Sequence, residues 1–252
     1  MALRVEHVDN VLRVTLARPE QRNAFDAALI RELTEAFSDV GDDVRAVVLS
    51  GEGSSFCAGA DVEWQRASIE LTFEENVEDA LRLYRMLEAI DACPAPVVAR
   101  VQGYALGGGS GLVACADVVV AAADATFGFS EVRLGIIPAV ISPFVFAKIG
   151  TGAARHVFVT GERFDAQTAL RLGLVHEVAE DLDASVEERV RAILASGPQA
   201  TRAAKELARG GQREGAELAR IAAALRAGDE GQAGLRAFLE KRDPPWASKS
   251  SS

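Results

Sequence analysis

Histidine and cysteine are scarce in this chain, three of each among 252 residues. His7, His156 and His176 stand far apart with no metal-ligand spacing, so neither a zinc site nor a histidine-based triad is supported. Cys57, Cys93 and Cys115 are odd in number and sit in apolar or glycine-rich contexts. Buried thiols in a reducing cytoplasm fit that pattern better than a disulfide framework does. No apolar run reaches the roughly 18–20 residues needed to span a bilayer. The opening MALRVEH lacks a signal-peptide hydrophobic segment, and a cytoplasmic protein is expected. Basic residues are outnumbered 27 to 37 by acidic ones, and the formal charge of −10 argues against a general nucleic-acid or anionic-membrane surface. No Gly-x-x-x-x-Gly-Lys phosphate loop is present. The glycines at 107–111 miss the Gly-x-Gly-x-x-Gly spacing of a dinucleotide fold. Nothing resembles an internal repeat.

What remains is ordinary globular composition, 49% apolar and 25% charged, in a chain long enough for one large domain or a core with a small appendage. Leu12, Val14 and Leu16 alternate with Arg13 and Thr15; with Arg4–His7 and a turn at Val8–Asn10 they predict an opening hairpin. Ile30, Leu33, Phe37 and Val40 recur at helical spacing, as do Ala80, Leu83, Tyr84, Leu87 and Ile90 before the Cys93-Pro94 break. Strand, strand, helix recurs to about residue 150, giving an α/β core; periodicity alone leaves a doubly wound sheet open. Beyond Gly161 the pattern reads as nearly all helical. Ser185 with Glu188 predicts a capping box ahead of Val186, Val190, Ile193 and Leu194. Gly197-Pro198 closes that helix and opens the next. Leu218, Ile221, Ala222 and Leu225 mark another, and Leu235, Phe238 and Leu239 the last. The final Ala247–Ser252 is polar and expected to be disordered.

Two glycine-bearing loops carry the chemistry. The strand Pro96–Val101 leads to Gly103-Tyr-Ala-Leu-Gly-Gly-Gly-Ser-Gly111, and the apolar run Leu112–Ala116 predicts a helix starting at those glycines. Its first amides would have no intrahelical partner and would suit an anion or a developing oxyanion. The strand Ala46–Ser50 leads to a second loop, Gly51-Glu-Gly-Ser-Ser-Phe-Cys-Ala-Gly-Ala-Asp61. Alone, either loop could be a tight corner. Together, and with Glu131 twenty residues beyond the first, they could aim two backbone donors at one carbonyl beside a carboxylate.

Arg22-Asn-Ala24, Phe56-Cys-Ala-Gly-Ala-Asp61, Gly103 to Gly109, Phe127-Gly-Phe-Ser-Glu131 and Leu134-Gly-Ile-Ile-Pro138, in that order, resemble the enoyl-CoA hydratase/isomerase (crotonase) superfamily. The resemblance runs from about Val11 to the C-terminal helix. It implies a crotonase-like spiral of ββα units over residues 1–190 and an all-helical oligomerisation region over 191–246, with the tail at 247–252. The expected assembly is a homotrimer or homohexamer. It implies an acyl-CoA substrate and no prosthetic group or metal, with coenzyme A entering only as part of the substrate. CoA is itself anionic, so its binding needs a local basic patch. By position, the amides of Ala60 and Gly108 would polarise the thioester carbonyl, and Glu131 would be the acid/base. Arg22, Ala24, Ala58, Asp61 and Val62 correspond to CoA-contacting positions, and Phe238 and Lys241 to a C-terminal pair that reaches a neighbouring subunit's CoA.

One departure stands out. The first of two hydratase glutamates, three residues after Gly108, is here Gly111. Ala60-Asp-Val-Glu-Trp64 with Arg66, Ser110 to Cys115 and Ser130 to Pro143 look like the methylglutaconyl-CoA and isohexenylglutaconyl-CoA hydratases, a branch that often lacks that glutamate too. A distal substrate carboxylate would need a cation, with Arg66 and Arg133 as candidates. The expected activity is reversible hydration of a 2-enoyl-CoA. Double-bond isomerisation by the single glutamate, or a catalytically silent CoA-binding subunit, are the alternatives; retained Glu131 and both loops speak against silence.

Overall fold

The structure, a computed structural model, describes residues 2–211 and 213–247. It opens with the hairpin β1 (Leu3–Val8) and β2 (Val11–Leu16), paired from Leu3↔Leu16 to Val8↔Val11. Asp26 caps α1 (Ala27–Ser38), its carboxylate accepting from the Leu29 amide at 2.8 Å. Leu29, Ile30, Leu33 and Phe37 form its buried face. β3 (Ala46–Gly51) follows, then α2 (Val62–Ser68) and α3 (Phe73–Asp91), the latter opened by a Thr72–Glu75 capping box. Next come β4 (Val97–Val101), β5 (Tyr104–Leu106), α4 (Gly108–Cys115), β6 (Val118–Ala122) and β7 (Thr126–Gly128). A 3-10 turn at Glu131–Leu134 leads to α5 (Ser142–Thr160), β8 (Arg163–Asp165), α6 (Ala166–Leu172) and β9 (Glu177–Ala179). Four helices finish the described chain: α7 (Leu182–Leu194), α8 (Pro198–Arg209), α9 (Gly215–Ala227) and α10 (Asp229–Glu240).

The strands form a six-stranded sheet, β1-β2-β3-β4-β6-β9, and a three-stranded sheet, β5-β7-β8. Strands β4 and β6 of the large sheet each continue into a short strand of the small one and then a helix, the repeating ββα turn that the sequence resemblance implies. Alternation along the strands divides the core. Val47 and Leu49 join the main cluster with α1, α3 and α4, whereas Ala46, Val48, Val98 and Val120 pack against Leu182, Val186 and Val190 of α7. Both faces are covered, which is why these strands read as continuous apolar runs. Cys57, Cys93 and Cys115 are all buried and unbridged.

The region beyond Gly161 is nearly all helical, and it also holds β8 and β9, each three residues long and too short to show alternation. One expectation needs correction. The Ser185–Glu188 capping box does not form. The helix starts one turn earlier, where the Asp181 carboxylate accepts from the Ala184 amide at 3.0 Å, and Glu188 pairs with Arg189 instead. Gly197 and Pro198 do open α8. The expected disorder at 247–252 concerns a segment of which 248–252 lie outside the described residues.

Candidate active site

The two glycine loops meet edge to edge. The Cys57 amide donates to the Tyr104 carbonyl at 2.9 Å, and the Leu106 amide donates to the Cys57 carbonyl at 3.0 Å, pairing Cys57 with Ala105 in parallel. Ala60 and Gly108 each lie three residues beyond that pair, and both line one cavity of about 420 Å³. The approach depends on missing side chains. A Cβ at Gly109 would sit 2.3 Å from the Cys57 carbonyl oxygen, and Gly59 holds a left-handed φ of +96° with Leu106 O 2.9 Å from where its Cβ would be. Ser110 Oγ fixes the start of α4, donating to Ala105 O at 2.6 Å and accepting from the Gly128 amide at 3.3 Å. Among the described residues neither the Ala60 nor the Gly108 amide donates to a backbone carbonyl. Gly108 opens α4, so its amide belongs to the turn that no intrahelical carbonyl can satisfy.

Glu131 lines the same cavity from the 3-10 turn after β7. Its Oε1 lies 3.2 Å from the position of a Cβ on Gly107, which sets the carboxyl directly over the glycine run. Its Oε2 is buried with no hydrogen-bond partner among the described residues. Burial raises the carboxyl above its ordinary range, partly opposed by a backbone hydrogen bond. A half-buried carboxyl that lines a cavity and holds its proton more readily is what acid/base work requires. Cys57 is no competing nucleophile: burial pushes its thiol up to about 12.

The place of the missing glutamate is filled by hydrocarbon. A Cβ on Gly111 would lie 2.7 Å from Ile141 Cγ2 and 3.7 Å from Leu87 Cδ2. Sequence reasoning missed the cavity's second carboxylate, Asp79 on α3. It sits eight residues before Leu87, about 12 Å along the helix axis, and so does not stand in for a side chain at 111. No motif marked it, because only the facing of α3 onto the cavity brings it there.

Arg22, Ala24, Ala58, Asp61 and Val62 all line a groove of about 870 Å³ that shares Ala58, Ala60 and Trp64 with the cavity. Asp61 also has local work: it caps α2 through the Glu63 amide at 2.9 Å and pairs with Arg18 at 3.1 Å. Phe238 and Lys241 are not brought to either chamber in this chain. Phe238 is 78% exposed on α10, and Lys241 ends that helix in a left-handed conformation. Arg66 is exposed and paired with Glu63 at 2.8 Å, Arg133 lies against Gly161, and neither lines the cavity. The cation that does line it is Arg163, which no sequence motif marks.

Two free amides and a half-buried carboxyl at one cavity, with a groove leading in, make an arrangement that can polarise a carbonyl and move a proton beside it. The family model described as Enoyl-CoA hydratase/isomerase matches residues 6–249. The fold is shared with Pseudomonas aeruginosa AtuE, at a TM-score of 0.94 and 40% identity over 98% of this chain and 100% of that one. An enoyl-CoA hydratase from Shewanella pealeana gives a TM-score of 0.91 at 38% identity, covering 98% and 96%. The mevalonyl-coenzyme A hydratase sidH of Aspergillus fumigatus is 35% identical over 94% of this chain and 91% of its own. The chain belongs to the enoyl-CoA hydratase/isomerase family.

Proposed function

We propose that the protein is an enoyl-CoA hydratase-type lyase, adding water reversibly across the double bond of a 2-enoyl-CoA. The observation that carries this is the convergence of the Ala60 and Gly108 amides and Glu131 on one cavity. In this reading the thioester oxygen accepts from both amides. Glu131 takes a proton from water as its oxygen adds at C3, and the displaced electron pair moves through C2 into the thioester as an enolate. The protonated Glu131 then returns the proton to C2, so one carboxyl closes the cycle. Preorganised donors of this kind contribute roughly 3–4 kcal/mol each in acyl-transfer enzymes. The chemistry calls for no prosthetic group.

Arg22, Ala24, Ala58, Asp61 and Val62 would hold the CoA portion, supported by their shared groove. Support for a branched acyl group, of the 3-methylglutaconyl kind, is the likeness to the fungal protein named for mevalonyl-CoA, itself branched at C3. Exposed Leu235, Phe238 and Leu239 on α10 support residues 191–246 as the contact region of a homotrimer or homohexamer, where Phe238 and Lys241 would meet a neighbour's CoA. Among the described residues no helix is long and apolar enough to cross a membrane, and we place the enzyme in the cytoplasm.

A second reading, double-bond isomerisation, is favoured by the hydrocarbon at Gly111. There Glu131 would take a proton from C4 of the 2-enoyl-CoA and return it to C2, or the reverse from a 3-enoyl-CoA, with no water to activate. Product identification after incubation with crotonyl-CoA and with 3-methylglutaconyl-CoA tests both readings. A 3-hydroxyacyl-CoA supports the lyase; a shifted double bond without hydroxylated product overturns it.

A further inference from the structure

The ring of Tyr104 carries two guanidinium groups. Arg22 Cζ lies 5.6 Å from its centroid and Arg163 Cζ 5.7 Å, so the two cations are held within about 11 Å of each other. They arrive from distant parts of the chain. Arg22 follows the turn at Pro19–Gln21 with a left-handed φ of 50°. Arg163 begins β8, paired with Gly128 of β7, which in turn pairs with Leu106 of β5. Leu106, Gly128 and Arg163 therefore share one row on one face of the small sheet, and Tyr104 lies on that face two residues before Leu106. Gly128 puts no side chain into the row, and the stem of Arg163 passes over it, its Cγ 3.4 Å from where a Cβ would be.

Among the described residues, neither arginine has a carboxylate within ion-pair distance, in a chain with ten more acidic than basic groups. By contrast Arg18, which lines the groove with Arg22, is paired with Asp26 and Asp61 at 3.0 and 3.1 Å. Cation–π attraction to the ring restrains a guanidinium without using its N–H donors, which stay available to an oxyanion. Arg22 lines the groove and Arg163 lines the cavity, so the pair spans the junction of the two chambers.

We propose that Arg163 is a substrate-binding residue which, with Arg22 and braced on Tyr104, clamps an anionic oxygen group of the ligand. This rests on the reading that the site takes an acyl-CoA, which offers two such groups: the phosphates of CoA and, in an acid-terminated substrate, the distal carboxylate. The clamp explains how a strongly acidic protein accepts so anionic a ligand, and it supplies the cation that neither Arg66 nor Arg133 brings to the cavity.

Binding measurements test the clamp without turnover, so its failure is separate from failure of the hydratase reading. Calorimetry would compare CoA, butyryl-pantetheine and glutaryl-pantetheine on the wild-type protein, Arg163→Gln and Arg163→Lys. Arg163 is exposed on the edge strand of the small sheet, and the lysine variant, which keeps charge but not the planar fork, reports on any loss of fold. If the anion is a CoA phosphate, Arg163→Gln weakens CoA about tenfold, flattens the salt dependence of its affinity, and leaves the glutaryl-to-butyryl ratio alone. If it is the acyl carboxylate, CoA affinity holds and the preference for glutaryl- over butyryl-pantetheine falls about tenfold. Arg163→Lys should lie between wild type and Arg163→Gln in whichever arm responds. Unchanged CoA affinity together with an unchanged glutaryl-to-butyryl ratio in Arg163→Gln overturns the proposal.

Discussion

In the proposed mechanism, replacing Glu131 by glutamine isolates the proton-transfer step. The amide keeps the shape of the side chain over Gly107 and can neither accept nor return the proton. General acid/base catalysis contributes roughly 10²–10⁴-fold, or about 3–5 kcal/mol of barrier. The full loss is expected here because position 111 offers no second carboxylate and Asp79, the other one lining the cavity, is set apart from that position. The space beside Gly111 is taken by the Ile141 side chain with Leu87 in van der Waals contact, and Asp79 lies about two helical turns from Leu87 along α3. CoA binding should survive, since the groove residues do not include Glu131. The assay follows disappearance of the conjugated enoyl thioester, with calorimetry of CoA alongside. Stability provides an independent readout. Burial raises the Glu131 carboxyl in the folded protein, so the neutral form is favoured by folding. The stability this contributes is fully present below the unfolded value, about 4.3, and is lost as pH rises through the raised folded value. Glutamine does not titrate, so the melting temperature of Glu131→Gln should gain on wild type as pH is raised across that interval. Wild-type turnover by Glu131→Gln on every enoyl-CoA tried would refute the mechanism, and an unchanged melting difference across that interval would refute the account of its burial.

Gly111→Glu, which on paper restores the two-glutamate arrangement, should lose about 1–3 kcal/mol of stability by overpacking against Ile141 and gain no hydration of crotonyl-CoA. Combining it with Ile141→Ala should recover part of that loss in denaturant unfolding. Gly108→Ala brings a methyl to 2.6 Å from the Phe25 ring, and the shift forced on its amide should cut kcat by roughly 10²–10³; an unaffected kcat would remove Gly108 from the oxyanion site. Phe238→Asp should move the sedimenting species toward monomer at micromolar concentration if α10 is the subunit contact. No change of mass would place the contact elsewhere.

The hairpin, the long helices, the buried strands and the glycine loops are all legible in the amino-acid sequence. Each is a local pattern: alternation in Leu12–Leu16, a 3.6-residue period in α1 and α3, glycines where Gly59 and Gly109 must meet the neighbouring backbone. Motif order was enough to place the chain in its family, and it proposes Ala60, Gly108 and Glu131 for the site because chemistry built on backbone amides requires particular glycines at particular places. Short elements were harder to read. Three-residue strands carry no period, and so β8 and β9 were lost in a region that looked helical. Ser185 fits the pattern of a helix cap, but Asp181, one turn earlier, makes the same hydrogen bond with a charge-assisted acceptor. Only the tertiary structure decided what fills the space at Gly111, because the answer is Ile141, thirty residues away and brought there by α5 packing on α4. Likewise Arg163 reaches the cavity through two strand pairings and a glycine in the row between, and Asp79 through the face that α3 turns inward. Such juxtapositions depend on which elements pair and how they pack, and those are properties of the whole chain rather than of any segment of it.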